Sequence, residues 1–279
     1  MHMLLKTRIL AIGILNGLLN VFGYALAKKT ELQRLRQLQN GKAEKLLDFV
    51  TRFPGNHAAK ILELERFSKS QLKQDLFVIA KSNFKNDGYF VEFGATNGVD
   101  LSNTWLLANH FSWTGILCEP AKIWQDELQT NRSESIINFD CVWKNSSSEI
   151  KFKEAHIPEL STIEGFSNFD SHGHERVEGT EYTVSTISLQ DLLESNGAPP
   201  FIDYLSIDTE GSEYEILSAF DFSKFSFGVI TCEHNYSDNR MKIYKLLTAN
   251  GYTRVWEAAS DFDDWYLGPS MSAGEIRNG

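Results

Sequence analysis

The ten residues Tyr89–Gly98, reading YFVEFGATNG, constrain this chain more than any other stretch. Tyr89, Phe90, Val91 and Phe93 form a short aromatic and β-branched run of the kind a buried strand uses, with Glu92 set inside it. Gly94, Ala95, Thr96, Asn97 and Gly98 then make a small-residue turn ahead of an expected helix, for which Ser102 is the candidate cap. A strand, a glycine-bearing turn and a helix start together form a place where a nucleotide cofactor lies close to the backbone. The spacing is G-x-x-x-G rather than G-x-G-x-x-G, so the neighbours of this stretch must say which cofactor is meant.

Those neighbours repeat one arrangement. Gly115–Cys118 reads as a strand ending at Glu119, and Ile136–Cys141 as a strand ending near Asp140. Phe201–Ile207 delivers Asp208-Thr209-Glu210-Gly211, and Phe227–Cys232 runs into Glu233-His234-Asn235. Helices are expected between them over Ser102–Phe111, Lys122–Thr130, Leu189–Ser195, Glu213–Phe220 and Met241–Ala249. Ser212 and Glu215 have the spacing of a capping box. Tyr252–Trp256 is a sixth strand, and Trp265–Leu267 is expected as a seventh, running antiparallel. This alternation predicts an α/β chain with a Rossmann-like, mostly parallel sheet and no second core.

Ligands of such sheets lie at the carboxyl ends of the strands, and here five successive strands end in acid or imidazole. Glu119 sits about twenty-five residues beyond the loop, where a carboxylate can accept both hydroxyls of a ribose. A pyrophosphate would need the closer glycine motif and would meet repulsion from this edge. A sulfonium carries positive charge and no phosphate, so the balance favours S-adenosyl-L-methionine.

The remaining segments carry less. Glu149–Glu154 alternates as a surface strand, and order returns at Thr183–Ile187. Ala155–Glu181 lacks periodicity and reads as a lid, a binding loop or a disordered stretch. Its His172 and His174 suggest a metal, but exposed histidines without partners are the better reading. Upstream, helices are expected over Ala43–Phe53, ended by Pro54-Gly55, and over Ala58–Phe67 and Ser70–Phe84. A net charge of −10 argues against a nucleic-acid partner. Three scattered cysteines read as buried free thiols and suit a reducing cytoplasm.

Ile9–Ala27 is apolar and flanked by Lys6, Arg8, Lys28 and Lys29. It can be read as a membrane span, as a signal peptide cleaved after Ala27, or as an amphipathic helix. Leu15, Leu18, Leu19 and Phe22 share one face, which favours an interfacial or docking helix with peripheral membrane contact. The expected divisions are an N-terminal helix over 1–29, a helical extension over 30–85, a catalytic domain over 86–268 and a tail over 269–279.

The chain resembles the FkbM-like family of S-adenosylmethionine-dependent methyltransferases from about Ser70 to Leu267. The resemblance rests on Ser70-Gln71 with Gln74-Asp75, FVEFGATNGVDLSNT (Phe90–Thr104), WTGILCEP (Trp113–Pro120), YLSIDTEGSEYEIL (Tyr204–Leu217), Glu233-His234-Asn235 and DFDDWYL (Asp261–Leu267). It implies a seven-strand methyltransferase sheet and O-methylation of a hydroxyl, on a sugar or a polyketide. It also implies Gly94, Ala95 and Gly98 near the methionine part of the cofactor, with Glu92 beside them. Glu119 would hold the ribose, and Asp140 could face the adenine amine. It does not name the acceptor.

A sugar hydroxyl needs a general base as the bond to carbon forms. His234 and Asp208 are the candidates, with Glu210 lining the acceptor side; the bland reading makes the first two structural. A metal variant would use Asp208, Glu233 and Asn235 as oxygen ligands. Glu213 is explained by the helix dipole. Asp261 and Asp264 beside Trp265 and Tyr266 could form a sugar platform, although such aromatics are more often core. Two rivals remain: an NAD-dependent oxidoreductase on the same fold, and a non-catalytic cofactor-binding protein.

Overall fold

A computed structural model describes residue 41 and residues 43–167 and 173–271. The apolar N-terminal segment and His172 lie outside the described residues. The chain divides into two units between Leu62 and Glu63. In the first, residues 43–51 form α1. The carbonyl of Pro54 accepts hydrogen bonds from the amides of His57 and Ala58, so the Pro54-Gly55 break also opens α2 (Gly55–Leu64). No helix among the described residues is long and apolar enough to cross a membrane.

The second unit is built on a seven-stranded sheet. Its strands are β1 (Tyr89–Phe93), β2 (Thr114–Cys118), β3 (Ile136–Asn138), β8 (Phe201–Ile207), β9 (Ser226–Glu233), β10 (Thr253–Val255) and β11 (Asp263–Leu267). Their spatial order is β10-β11-β9-β8-β1-β2-β3. β9, β8, β1, β2 and β3 are parallel neighbours, and β11 is antiparallel to both β9 and β10. The expected Rossmann-like sheet with its antiparallel last strand is therefore present, although the last strand lies inside the edge.

Alternation along β1 sorts the two faces. Val91 and Phe93 join a core with Leu189, Leu192 and Leu193 of α7 (Leu189–Ser195), Ile216 and Leu217 of α8 (Glu213–Ser218), and Ile243 and Leu247 of α9 (Asn239–Ala249). Phe90 and Glu92 face the other way, toward α3 (Gln74–Lys81), α4 (Trp105–Phe111) and α5 (Gln125–Asn131). There the Arg132 guanidinium stacks on Phe90, 5.5 Å from the ring centre. On the same face Phe77 packs 4.6 Å from Trp265. Trp265 and Tyr266 are fully buried, and Asp264 is tied to Arg240 at 2.8 Å and Arg254 at 3.2 Å. These residues are core and its ion pairing, so no sugar platform forms there.

Two expectations need correction. Ile136–Cys141 is not one strand: the Asn138 side chain accepts the Asp140 amide at 2.7 Å, which ends β3 in a turn. The chain restarts as β4 (Cys141–Trp143) in a different sheet. That second sheet, ordered β4-β7-β5-β6, also contains β5 (Glu149–Glu154), β6 (Thr162–Ile163) and β7 (Thr180–Ser188). It has its own cluster of Ala121, Cys141, Phe152, Ile163 and Val184, so a second, smaller core exists. The stretch 155–181, expected as a lid, a binding loop or a disordered stretch, holds β6, short 3-10 turns and the one-turn α6 (Gly173–Arg176) among its described residues.

Candidate active site

A cavity of about 340 Å³ opens at the carboxyl ends of β1, β2, β8 and β9, within the range of ligand pockets, about 300–1,000 Å³. Six acids line it: Glu92, Glu119, Glu159, Asp208, Glu210 and Glu233. No Lys, Arg or His lines it among the described residues.

The glycine loop is shaped by its own backbone. Gly94 has φ +72°, and a Cβ there would lie 2.0 Å from the carbonyl oxygen of Asp208. Glycine is required at this position because two strand ends meet. The amides of Gly94 and Ala95 donate to the Cys118 carbonyl at 3.1 and 3.2 Å, and the Thr96 amide donates to Glu119 at 2.9 Å. These three donors are thus already used by protein acceptors, which leaves this part of the loop without the amides a pyrophosphate would need. Gly94 and Thr96 line the cavity; Ala95 and Gly98 do not. Gly98 instead sits against α5, where a Cβ would meet Arg132 at 2.5 Å.

Glu92 and Glu119 have different duties. Glu92 is buried and accepts from Ser102 Oγ at 3.1 Å, the Asn103 amide at 2.7 Å and Thr104 Oγ1 at 2.5 Å. Burial raises its carboxyl, against the pull of Arg132 and these donors. Ser102 Oγ in turn accepts from the Thr104 and Trp105 amides, the capping role expected of it at the start of α4. Glu119 takes one backbone amide on each oxygen, from Thr96 at 2.9 Å and Ala121 at 2.8 Å. Both oxygens keep a lone pair for a further donor. Burial pushes this carboxyl up to about 7, with Asp208 and Glu154 adding to the rise and the two amides opposing it.

At the other end of the cavity Asp208, Glu210 and Glu233 converge, each offering an oxygen within 4.8 Å of the others. Asp208 follows β8, and burial raises its carboxyl, partly offset by hydrogen bonding with Glu233. Glu233 ends β9 and is pushed well up by burial, then by Asp208 and Glu210. Its Oε2 is buried with no hydrogen-bond partner. Glu210 adopts φ +57° and receives Arg176 at 2.9 Å and Asn235 Nδ2 at 3.1 Å. Because β11 runs antiparallel, its first residue Asp263 pairs with Glu233 and joins this edge. Burial and the nearby Asp208 push the Asp263 carboxyl up to about 8, and Gln74 donates to it at 2.9 Å.

His234 does not line the cavity. Its Nδ1 accepts the Tyr236 amide at 2.9 Å, which places the proton on Nε2, 3.1 Å from the Asp263 carbonyl. Burial lowers its pKa, so the ring stays neutral and braces two backbone segments. Asp140 does not line the cavity either; Pro120, Cys141, Val142 and Phe152 do, beside Glu119. Glu213 is more than a dipole partner: it accepts from the Thr209 and Gly211 amides at 3.1 and 2.9 Å and ties the Asp208–Gly211 turn. The expected capping box is not made, since Ser212 Oγ donates to Thr209 Oγ1.

Two groups were missed by sequence reasoning. Asn103 lines the cavity, and its Oδ1 is buried without a partner while its Nδ2 donates to Ser206 at 3.0 Å. The second is the run Pro158–Ile163, which covers the Asp208 end. Thr162 Oγ1 donates to the Glu210 carbonyl at 3.0 Å, and Arg176 Nε to the Leu160 carbonyl at 2.6 Å. Asn103 stood inside a quoted motif; nothing local marked the second group. His174 lies 3.0 Å from Glu175 and is mostly exposed. All three cysteines are buried free thiols.

The methyltransferase FkbM from Methylobacillus flagellatus KT is 11% identical, with a TM-score of 0.44 over 81% of this chain and 58% of that one. A precorrin-6y C5,15-methyltransferase from Geobacter metallireducens GS-15 is 15% identical, with a TM-score of 0.34 over 64% and 71%. A putative RNA methyltransferase from Pyrococcus horikoshii is 13% identical, with a TM-score of 0.34 over 66% and 67%. Likeness at this level carries no argument about the site, and the sheet order rests on the strand pairing itself. No curated protein matches the chain significantly. Residues 92–267, from within β1 to the end of β11, match the family described as the methyltransferase FkbM domain, and the chain belongs to that family of methyltransferases.

Proposed function

We propose that the protein transfers a methyl group from S-adenosyl-L-methionine to a hydroxyl of a neutral sugar or other small glycan acceptor. The observation that carries this reading is a cavity lined by six acids and no cationic side chain among the described residues. Such a field attracts a sulfonium and repels a pyrophosphate or a phosphorylated acceptor. The loop amides already spent on Cys118 and Glu119 argue the same way against NAD.

In this reading Glu119 accepts the ribose hydroxyls, and the apolar slot of Pro120, Cys141, Val142 and Phe152 takes the adenine. Gly94 lets the methionine end lie against β1, and Asn103 Oδ1 receives its ammonium group. The acceptor lies between Asp208 and the Pro158–Ile163 roof. Its oxygen attacks the methyl carbon in line as the bond from carbon to sulfur breaks, with the electron pair going to sulfur. Asp208 takes the hydroxyl proton, because it faces the cavity and His234 does not.

The test is incubation of the full chain with methyl-labelled S-adenosylmethionine and a panel of neutral glycosides. Label in a base-stable ether, lost in Asp208→Asn, is expected. Label in a base-labile ester or an amine would overturn the hydroxyl assignment.

A further inference from the structure

We infer that the Asp208 end of the cavity binds one divalent cation of the Mg²⁺ or Mn²⁺ type. The three carboxylates that would hold it come from separate positions. Asp208 follows β8, Glu233 ends the adjacent β9, and Glu210 is returned toward them by its left-handed backbone. One oxygen from each lies within 4.8 Å of the others. An ion with contacts of about 2.0–2.1 Å spans at most about 4.2 Å between opposite ligands, so ligation draws the three oxygens slightly closer. Three acids pressed together in a poorly hydrated place repel one another; Arg176 answers Glu210 from behind, and a cation among the three would answer the others as well.

An independent observation points the same way. Glu233 lines this cavity and is only 6% exposed, and its Oε2 is buried with no hydrogen-bond partner. A buried polar oxygen without a partner is costly, and a cation supplies what is missing. Glu210 is also oriented from behind, since Arg176 and Asn235 both donate to its Oε2. This is how outer partners fix the direction of a ligating carboxylate. The donor set is oxygen alone, which selects a hard cation over zinc. His234 is excluded because both ring nitrogens are engaged with backbone groups.

The cation's part in catalysis rests on the proposed O-methyl transfer, whereas its binding does not. There it would draw electron density from the acceptor hydroxyl while the second oxygen of Asp208 takes the proton; the methyl moves to oxygen, sulfur keeps the electron pair, and the ion's charge is unchanged.

Mn²⁺ titration of the full chain, followed by loss of the free-ion paramagnetic resonance signal, tests the site without any cofactor. One ion per chain with a Kd below about 1 mM, displaced by Mg²⁺, is expected. Glu233→Gln should weaken it by about tenfold or more. Glu159→Gln, which removes a cavity acid outside the cluster, should leave binding unchanged, and circular dichroism of both variants checks that they fold. No bound Mn²⁺, or equal losses in the two variants, would overturn the inference. Calorimetry with S-adenosylmethionine on the same preparation separates this failure from failure of the methyltransferase reading.

Discussion

Glu119 carries the most directly testable charge in the molecule. Its carboxyl stands at about 7 when folded against 4.5 when free, so the folded chain binds the extra proton between those values. Stability therefore falls as pH rises across that window, by at most about 3 kcal/mol for this group. Glu119→Gln should flatten the thermal midpoint profile between pH 5 and 8 relative to wild type; an unchanged slope would place the buried proton elsewhere. Gly94→Ala forces a Cβ to 2.0 Å from the Asp208 carbonyl at positive φ, and should cost at least about 2 kcal/mol in urea unfolding. Asp208→Asn should lower turnover by about 10²–10⁴ while cofactor affinity holds. His234→Gln should instead lose about 1–3 kcal/mol of stability by stranding backbone groups, with cofactor affinity retained. The strand-terminal acids were legible because each follows an apolar run. The duty of His234 was not, since its ring partners are backbone atoms of the segment at Tyr236 and of the start of β11.

At the scale of elements, the seven strands and their flanking helices were legible from local periodicity, with ends differing by a few residues. The small sheet was not. β5 and most of β7 were visible as separate strands, but their pairing joins Phe152 to Tyr182, thirty residues apart, and no local pattern encodes that partner. Nor did any local signal reveal that the run after β5 returns to cover the site. This roof is held by the buried pair of Arg176 and Glu210, 1% and 6% exposed. Arg176→Met should cost about 3–5 kcal/mol by removing that cation from a buried carboxylate. Glu210→Gln in the same background should recover part of the loss, and a double-mutant cycle measures the coupling; additive effects would mean that the pair does not hold the roof.

For the whole molecule, the order β10-β11-β9-β8-β1-β2-β3 explains why acids distant in sequence share one mouth. Parallel strands deliver their carboxyl ends to one edge, and the reversed β11 brings its first residue there as well. The family match over residues 92–267 spans this arrangement, and the six acids of the cavity are the ground for the proposed cation-bearing cofactor with a neutral acceptor. The most direct test is calorimetric titration of the full chain with S-adenosylmethionine and, separately, with NAD. Micromolar binding of the former, weakened about tenfold or more by Glu119→Ala, with no heat from NAD, is the predicted result. Binding of NAD, or no binding of S-adenosylmethionine by folded protein, would contradict the account.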